Sequence, residues 1–164
     1  MELTIICTQE GGINRALSGV LGKRVRTAKT DKGVPYIVGD DHCISLSHKD
    51  ERLVVAVSDK PVGIDIERLC DKPSYYQIAD NYFAEPVARG DVEGFFRSWT
   101  RREAYGKMLG VGLNRAIMGM DMRLPIDYEG RTVCFVEKRV DDYMITVAGA
   151  YSDGELIMEG NDNE

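Results

Sequence analysis

The stretch Lys60-Pro61-Val62-Gly63-Ile64-Asp65-Ile66-Glu67 constrains this chain more than any other. It reads as a short buried strand. Alternation along a strand sends Asp65 and Glu67 to one face and Ile64 and Ile66 to the other. Two carboxylates on one face of so apolar a run repel each other and are poorly solvated, so they need either a cation between them or a strand end open to water. A hard ion such as magnesium meets the first need, because it favours oxygen ligands and usually keeps waters that a phosphate-bearing substrate can replace. Solvated carboxylates at a strand end meet the second, and the stretch alone leaves both readings open.

The flanking sequence supplies a partner for these acids. From Asp91 a helical pattern runs to Leu109 and stops at Gly110, with Val92, Phe95, Phe96 and Trp99 on one face. Trp99, Glu103 and Lys107 continue that face at four-residue spacing, which lines up an aromatic, an acid and a base. An acid following core-facing aromatics is carried inward and wants a cation. If this helix packs on the strand bearing Asp65 and Glu67, Glu103 completes a three-carboxylate metal site and Lys107 meets a phosphate bound there. The plain alternative is a surface Glu-to-Lys pair beside a buried tryptophan. A third signal is Ile44-Ser45-Leu46-Ser47-His48, a strand ending in a hydroxyl and an imidazole that can grip a phosphate. No Gly-x-Ser-x-Gly elbow accompanies it, so a hydrolase triad is not supported.

Around these signals the order of elements suggests two α/β halves. Leu3–Thr8 reads as a strand and the pattern from Asn14 as a helix ending in the basic run 23–29. Short strands follow at 34–38, 43–47 and 53–57. After Glu67, Ser74 is a candidate cap for a helix to about Tyr82. Beyond the long helix, strands are expected near 119–124, 132–138 and 143–150. The expected fold class is α+β, with a small antiparallel sheet and a helix in each half. Residues 1–60 form the first half, 61–151 the second, and 152–164 a frayed acidic tail. At 164 residues and 43% hydrophobic content the chain can bury one core or two small ones.

A formal net charge of -6 argues against broad nucleic-acid binding, which needs a basic surface. Cys7, Cys43, Cys70 and Cys134 contain no close pair, so neither a zinc site nor a redox dithiol is signalled. The N-terminus lacks the length and basic flank of a signal peptide, and no later stretch approaches a membrane span. A cytoplasmic protein is the expectation.

Taken together, Ser47-His48, Gly63-Ile64-Asp65-Ile66-Glu67 and Trp99-x-x-Arg102-Glu103-Ala104-x-x-Lys107 resemble the 4'-phosphopantetheinyl transferases, specifically their two-halved, surfactin-synthetase-activating type. The resemblance covers roughly residues 33–113. The position of the acid-bearing strand, some sixty residues into the chain, is unlike that of the short trimeric holo-acyl-carrier-protein synthase type. The resemblance implies two similar halves about a pseudo-two-fold with the site in their cleft. It also implies transfer of phosphopantetheine from coenzyme A to a serine of an acyl or peptidyl carrier protein of fatty acid, polyketide or nonribosomal peptide biosynthesis, with release of adenosine 3',5'-bisphosphate. Asp65, Glu67 and Glu103 would hold magnesium, with Glu103 also the base for the carrier serine. Ser47, His48, Arg102 and Lys107 would contact coenzyme A, Lys107 also helping the bisphosphate leave. One chain would suffice, so a monomer is expected.

This chain departs from the family pattern at two of the motif positions. Gly33-Val34-Pro35 stands where Gly-Lys-Pro is usual, and Arg102 replaces a lysine; together they motivate a second reading, a non-catalytic relative that binds coenzyme A or a carrier. A phosphatase or nuclease built on the same acids would need a further Asp or His cluster. Lys23, Arg24, Arg26 and Lys29 are candidates for the missing phosphate contacts. Carriers of this class are typically acidic, and Arg97, Arg101, Arg102, Lys107, Arg115 and Arg123 form a local basic excess. The carrier is therefore expected to dock near that segment and Val111-Gly112-Leu113.

Overall fold

The computed structural model describes residues 12–150 in full and, as backbone, Leu3–Thr8 and Met158–Gly160. The element order is β1 (Leu3–Thr8), α1 (Ile13–Leu21), β2 (Thr27–Lys29), β3 (Pro35–Ile37), β4 (Cys43–Lys49), β5 (Arg52–Ser58) and β6 (Val62–Arg68). It continues with α2 (Pro73–Tyr82), α3 (Val92–Met108), α4 (Arg115–Met118), β7 (Asp127–Tyr128), β8 (Arg131–Val140), β9 (Tyr143–Ala150) and β10 (Met158–Gly160). One sheet has the order β10-β1-β5-β4-β3-β2 and the other β6-β9-β8-β7. All pairings are antiparallel except β1 with β10. This mixed α/β architecture agrees with the expected class.

Alternation assigns each strand face to a different layer. On β5, Val55 and Val57 join Leu17 of α1, Val25, Ile37 and Ile44, so α1 covers one side of the six-stranded sheet. The other side presents Val54 and Ala56 to Val62, Ile64, Ile66, Ile145 and Val147 of the four-stranded sheet. The far side of that second sheet contributes Ala148 and Val133 to a cluster with Ala104, Tyr105 and Met108 of α3. A buried hydroxyl pair, Thr100 with Thr146 at 2.6 Å, ties α3 to β9. The strand carrying Asp65 and Glu67 therefore lies between the six-stranded sheet and the long helix.

Local chemistry explains where the structure differs from the sequence expectation. Ser74 lies inside α2, whose cap position is Lys72 with Pro73 opening the helix, a position that needs no backbone N–H. The basic run does not finish α1, which ends at Leu21 with Gly22 left-handed; Thr27–Lys29 is a strand instead. No strand forms at 119–124. Asn114 caps the short α4 by accepting from the Ile117 N–H, and turns follow. Of the expected frayed tail, Met158–Gly160 pairs with β1, and the remainder lies outside the described residues. Asp91 caps α3 through the Gly94 N–H, as its position before the helical pattern suggests.

Candidate active site

Three side chains on one face of β4 reach β6 in sequence. The Ser45 hydroxyl accepts the Ile64 N–H at 3.0 Å, the Ser47 hydroxyl donates to Asp65 Oδ1 at 2.8 Å, and Lys49 Nζ lies 2.6 Å from Glu67 Oε2. From the other side, Lys107 of α3 donates to Asp65 Oδ1 at 2.8 Å, Ser47 Oγ at 2.9 Å and the Ile64 carbonyl at 3.0 Å. Gly63 makes this approach possible. A Cβ built there would lie 1.8 Å from the Ala104 carbonyl oxygen and 2.6 Å from the Met108 nitrogen, so only glycine lets β6 and α3 touch backbone to backbone.

The electrostatics single out Asp65. Its residue surface is 4% exposed, and its Oδ2 is buried with no hydrogen-bond partner among the described residues. Burial pushes its carboxyl above the usual aspartate range, against the opposing pull of Lys107 and Ser47. Glu103, half-buried on α3, is likewise raised, first by burial and then by repulsion from Asp65. The hydrogen bond to Glu67 holds the Lys49 ammonium charged. The three acids thus sense one another, yet among the described residues no group of three His, Cys, Asp or Glu side chains is gathered closely enough to hold a metal ion. Lys107 and Lys49 occupy the positive positions instead. Carboxylate oxygens are the donors a hard divalent cation prefers, and Asp65 offers a buried one that has no partner among the described residues.

Lys107 also faces a cavity of about 600 Å3, lined by Lys29, Lys32, Val34, Ser45, Leu46 and the Gly110–Gly112 loop among others. The loop folds back on α3 because Val111 and Gly112 donate to the Gly106 carbonyl, which a Cβ at Gly106 would disturb. Lys32 sits in the turn between β2 and β3 and lines the same cavity. Of the basic run, Lys29 lines this cavity and Lys23 pairs with Asp40, while Arg24 and Arg26 line a separate groove beside α1.

Sequence reasoning brought together Asp65, Glu67, Ser47, Glu103 and Lys107. It did not separate out His48, which is exposed and falls on the alternate face of β4 from Ser47. Arg102 does not join the cluster at all. It is fully buried, with Nη1 and Nη2 bonded to the Glu85 carboxylate at 2.7 and 2.8 Å and the remaining donors on the carbonyls of Ser98, Met118 and Met120. Its guanidinium lies 3.7 Å from the Phe83 ring centroid. Every N–H is used within the protein, so the expected contact to coenzyme A is corrected to a structural ion pair. The sequence reading names Gly63 only as part of its motif and does not single out Lys49, for which the two-residue spacing of Ser45, Ser47 and Lys49 is the available signal.

Residues 61–148 match the family model of the 4'-phosphopantetheinyl transferase superfamily. The chain is 37% identical over 93 residues to the 4'-phosphopantetheinyl transferase gsp of Aneurinibacillus migulanus, covering 52% of this chain and 38% of that protein. It is 29% identical over 140 residues to a 4'-phosphopantetheinyl transferase of Bacillus subtilis, covering 74% and 61% respectively. With psf-1 of Bacillus pumilus it shares 35% over 92 residues, covering 51% and 38%. The chain thus spans between 38% and 61% of the length of these relatives. Because the matched segment runs from β6 through α3 to β9, the elements that hold Asp65, Glu67, Glu103 and Lys107, this chain belongs to the 4'-phosphopantetheinyl transferase superfamily.

Proposed function

We propose that this protein transfers the 4'-phosphopantetheine group of coenzyme A to a serine of an acyl or peptidyl carrier protein, with magnesium as cofactor. The observation that carries this reading is the buried Asp65 oxygen without a partner, beside a lysine that also lines the large cavity. Bound magnesium would neutralise charge on the pyrophosphate and help align it for displacement. Asp65, Glu67 and Glu103 are its proposed ligands.

The remaining steps fall to side chains. Lys29, Lys32 and Lys107 supply positive charge around the cavity for the phosphates of coenzyme A. Ser47 and, on the alternate face of β4, the exposed His48 are proposed contacts to different phosphates of coenzyme A. The carrier serine oxygen attacks the pyrophosphate phosphorus next to the pantetheine arm while its proton passes to Glu103. The bond from that phosphorus to the departing oxygen breaks, and Lys107 stabilises the adenosine 3',5'-bisphosphate that leaves. A carboxylate raised by burial is better matched to accepting a proton near neutral pH than an ordinary one. Catalysis is otherwise alignment and charge neutralisation.

The proposed carrier surface is narrower than the basic count implies. Arg97 and Arg101 are paired with Glu137, Arg102 with Glu85 and Arg123 with Asp121. The exposed Arg115, with the exposed apolar Val111 and Leu124, is the surface proposed for an acidic carrier. A monomer in the cytoplasm fits this reading, the two helix-and-sheet units corresponding to the family's two halves. The test incubates the protein with coenzyme A, magnesium and a broad panel of apo carriers and follows carrier mass. A gain of one phosphopantetheine, lost with Asp65→Ala, is expected. Binding of coenzyme A with no gain on any carrier would instead support the non-catalytic reading.

A further inference from the structure

The ladder between β4 and β6 has a third rung that the proposed chemistry does not use. Lys49 Nζ lies 2.6 Å from Glu67 Oε2, two residues beyond Ser47 on the same strand face. The two lysines at the site differ in what they leave open. Lys107 is held by three acceptors, and on Asp65 it takes Oδ1 while Oδ2 stays without a partner. It can therefore remain in place when a cation arrives at Oδ2. Lys49 makes its ion pair with Glu67, and its side chain is 40% exposed. Rotation of its flexible four-carbon stem releases it to water.

We propose that Lys49 is an internal competitor for the divalent cation, neutralising Glu67 in the metal-free protein and leaving that carboxylate when the ion binds. This rests on the proposed metal ligands. Without a metal, Asp65 and Glu67 on one strand face repel, and an ammonium on Glu67 relieves part of that repulsion. The same relief lowers what a metal ion gains by binding, because the ion must displace a charge already there. Lys49 thus makes the free protein a weaker metal binder than its carboxylates alone would be. A pair this exposed is worth only a few-fold in an equilibrium constant.

Calorimetric titration of manganese into the coenzyme-free protein reads this directly. Lys49→Met keeps the stem and removes the charge, and is expected to tighten manganese binding about threefold. Lys49→Arg, which can keep the pair, and Lys60→Met, which makes the same charge change outside the ladder, are expected to titrate like the unaltered protein. Thermal melts alongside confirm that each variant is folded. Unchanged or weaker binding by Lys49→Met overturns the proposal, as does equal tightening by Lys60→Met, which would assign the effect to overall charge. If Asp65→Asn and Glu67→Gln bind manganese as well as the unaltered protein, the proposed metal ligands themselves are wrong, and the role of Lys49 falls with them.

Discussion

Arg102 and Glu103 are neighbours on α3, and their surroundings are opposites. Arg102 is fully buried and every guanidinium donor is bonded, two of them to Glu85. Glu103 is near enough to Asp65 for their charges to repel, and Asp65 is a buried carboxylate with an oxygen that has no partner among the described residues. The first is a closed arrangement that adds nothing but structure. The second leaves an acceptor oxygen unmet among the described residues, which costs stability unless something else supplies a partner. Burial alone does not tell the two apart; the count of satisfied donors and acceptors does.

The largest expected effect breaks the closed pair. Arg102→Met leaves Glu85 buried and unpaired and should cost about 3–5 kcal/mol in a urea denaturation curve. Adding Glu85→Leu should restore much of that loss, because two apolar groups replace two charges. A double variant as unstable as the single one would show that the pair does more than satisfy itself. The reverse is expected on the other side of the helix. Asp65→Asn should lower phosphopantetheine transfer by about 100- to 1000-fold while the denaturation midpoint holds or rises, since a poorly solvated charge is removed. A large stability loss with transfer intact would place Asp65 with Arg102.

The same contrast recurs on the surface at smaller scale. Arg123 is paired with Asp121, whereas Arg115 is exposed with no ion pair among the described residues. Arg115→Glu should weaken carrier binding about fivefold and reduce its salt dependence, and Arg123→Ala should change both little. Equal effects would mean that local pairing does not decide which arginine docks the partner.

The smallest effect concerns protons on Glu103. Its raised carboxyl binds a proton more tightly folded than unfolded, so this residue's contribution falls as pH rises through the ordinary glutamate range to the raised value. Glu103→Gln removes that slope. In chelator-treated protein the variant should gain stability relative to the parent across that interval and hold the gain above it. A difference that stays constant with pH would mean that the environment of Glu103 does not favour its neutral form.

How far the sequence revealed this site depended on the range over which each residue acts. Strand alternation gave the shared face of Asp65 and Glu67, and helical spacing gave the alignment of Glu103 with Lys107; both are local periodicities. Arg102 was misassigned because its partner Glu85 lies across an irregular loop, where no periodicity links the two. The expected strand at 119–124 failed for a related reason. Arg102 draws the carbonyls of Met118 and Met120 inward, so the backbone there serves a side chain rather than a neighbouring strand. Gly63 was read only as part of a motif, since its packing against Ala104 joins distant positions.

That glycine has a consequence for how the protein tolerates change. With the backbones of β6 and α3 in direct contact, the spacing between Asp65 and Lys107 is fixed by main chain rather than by the volume of intervening side chains. Ile64 and Ile66 pack on the opposite face, within the layer shared with Val54 and Ala56. Sequence drift in that layer can therefore alter how firmly the molecule holds together while the reactive groups keep their separation. The hydrophobic interior is free to diversify, and the single position least free to do so carries no side chain at all.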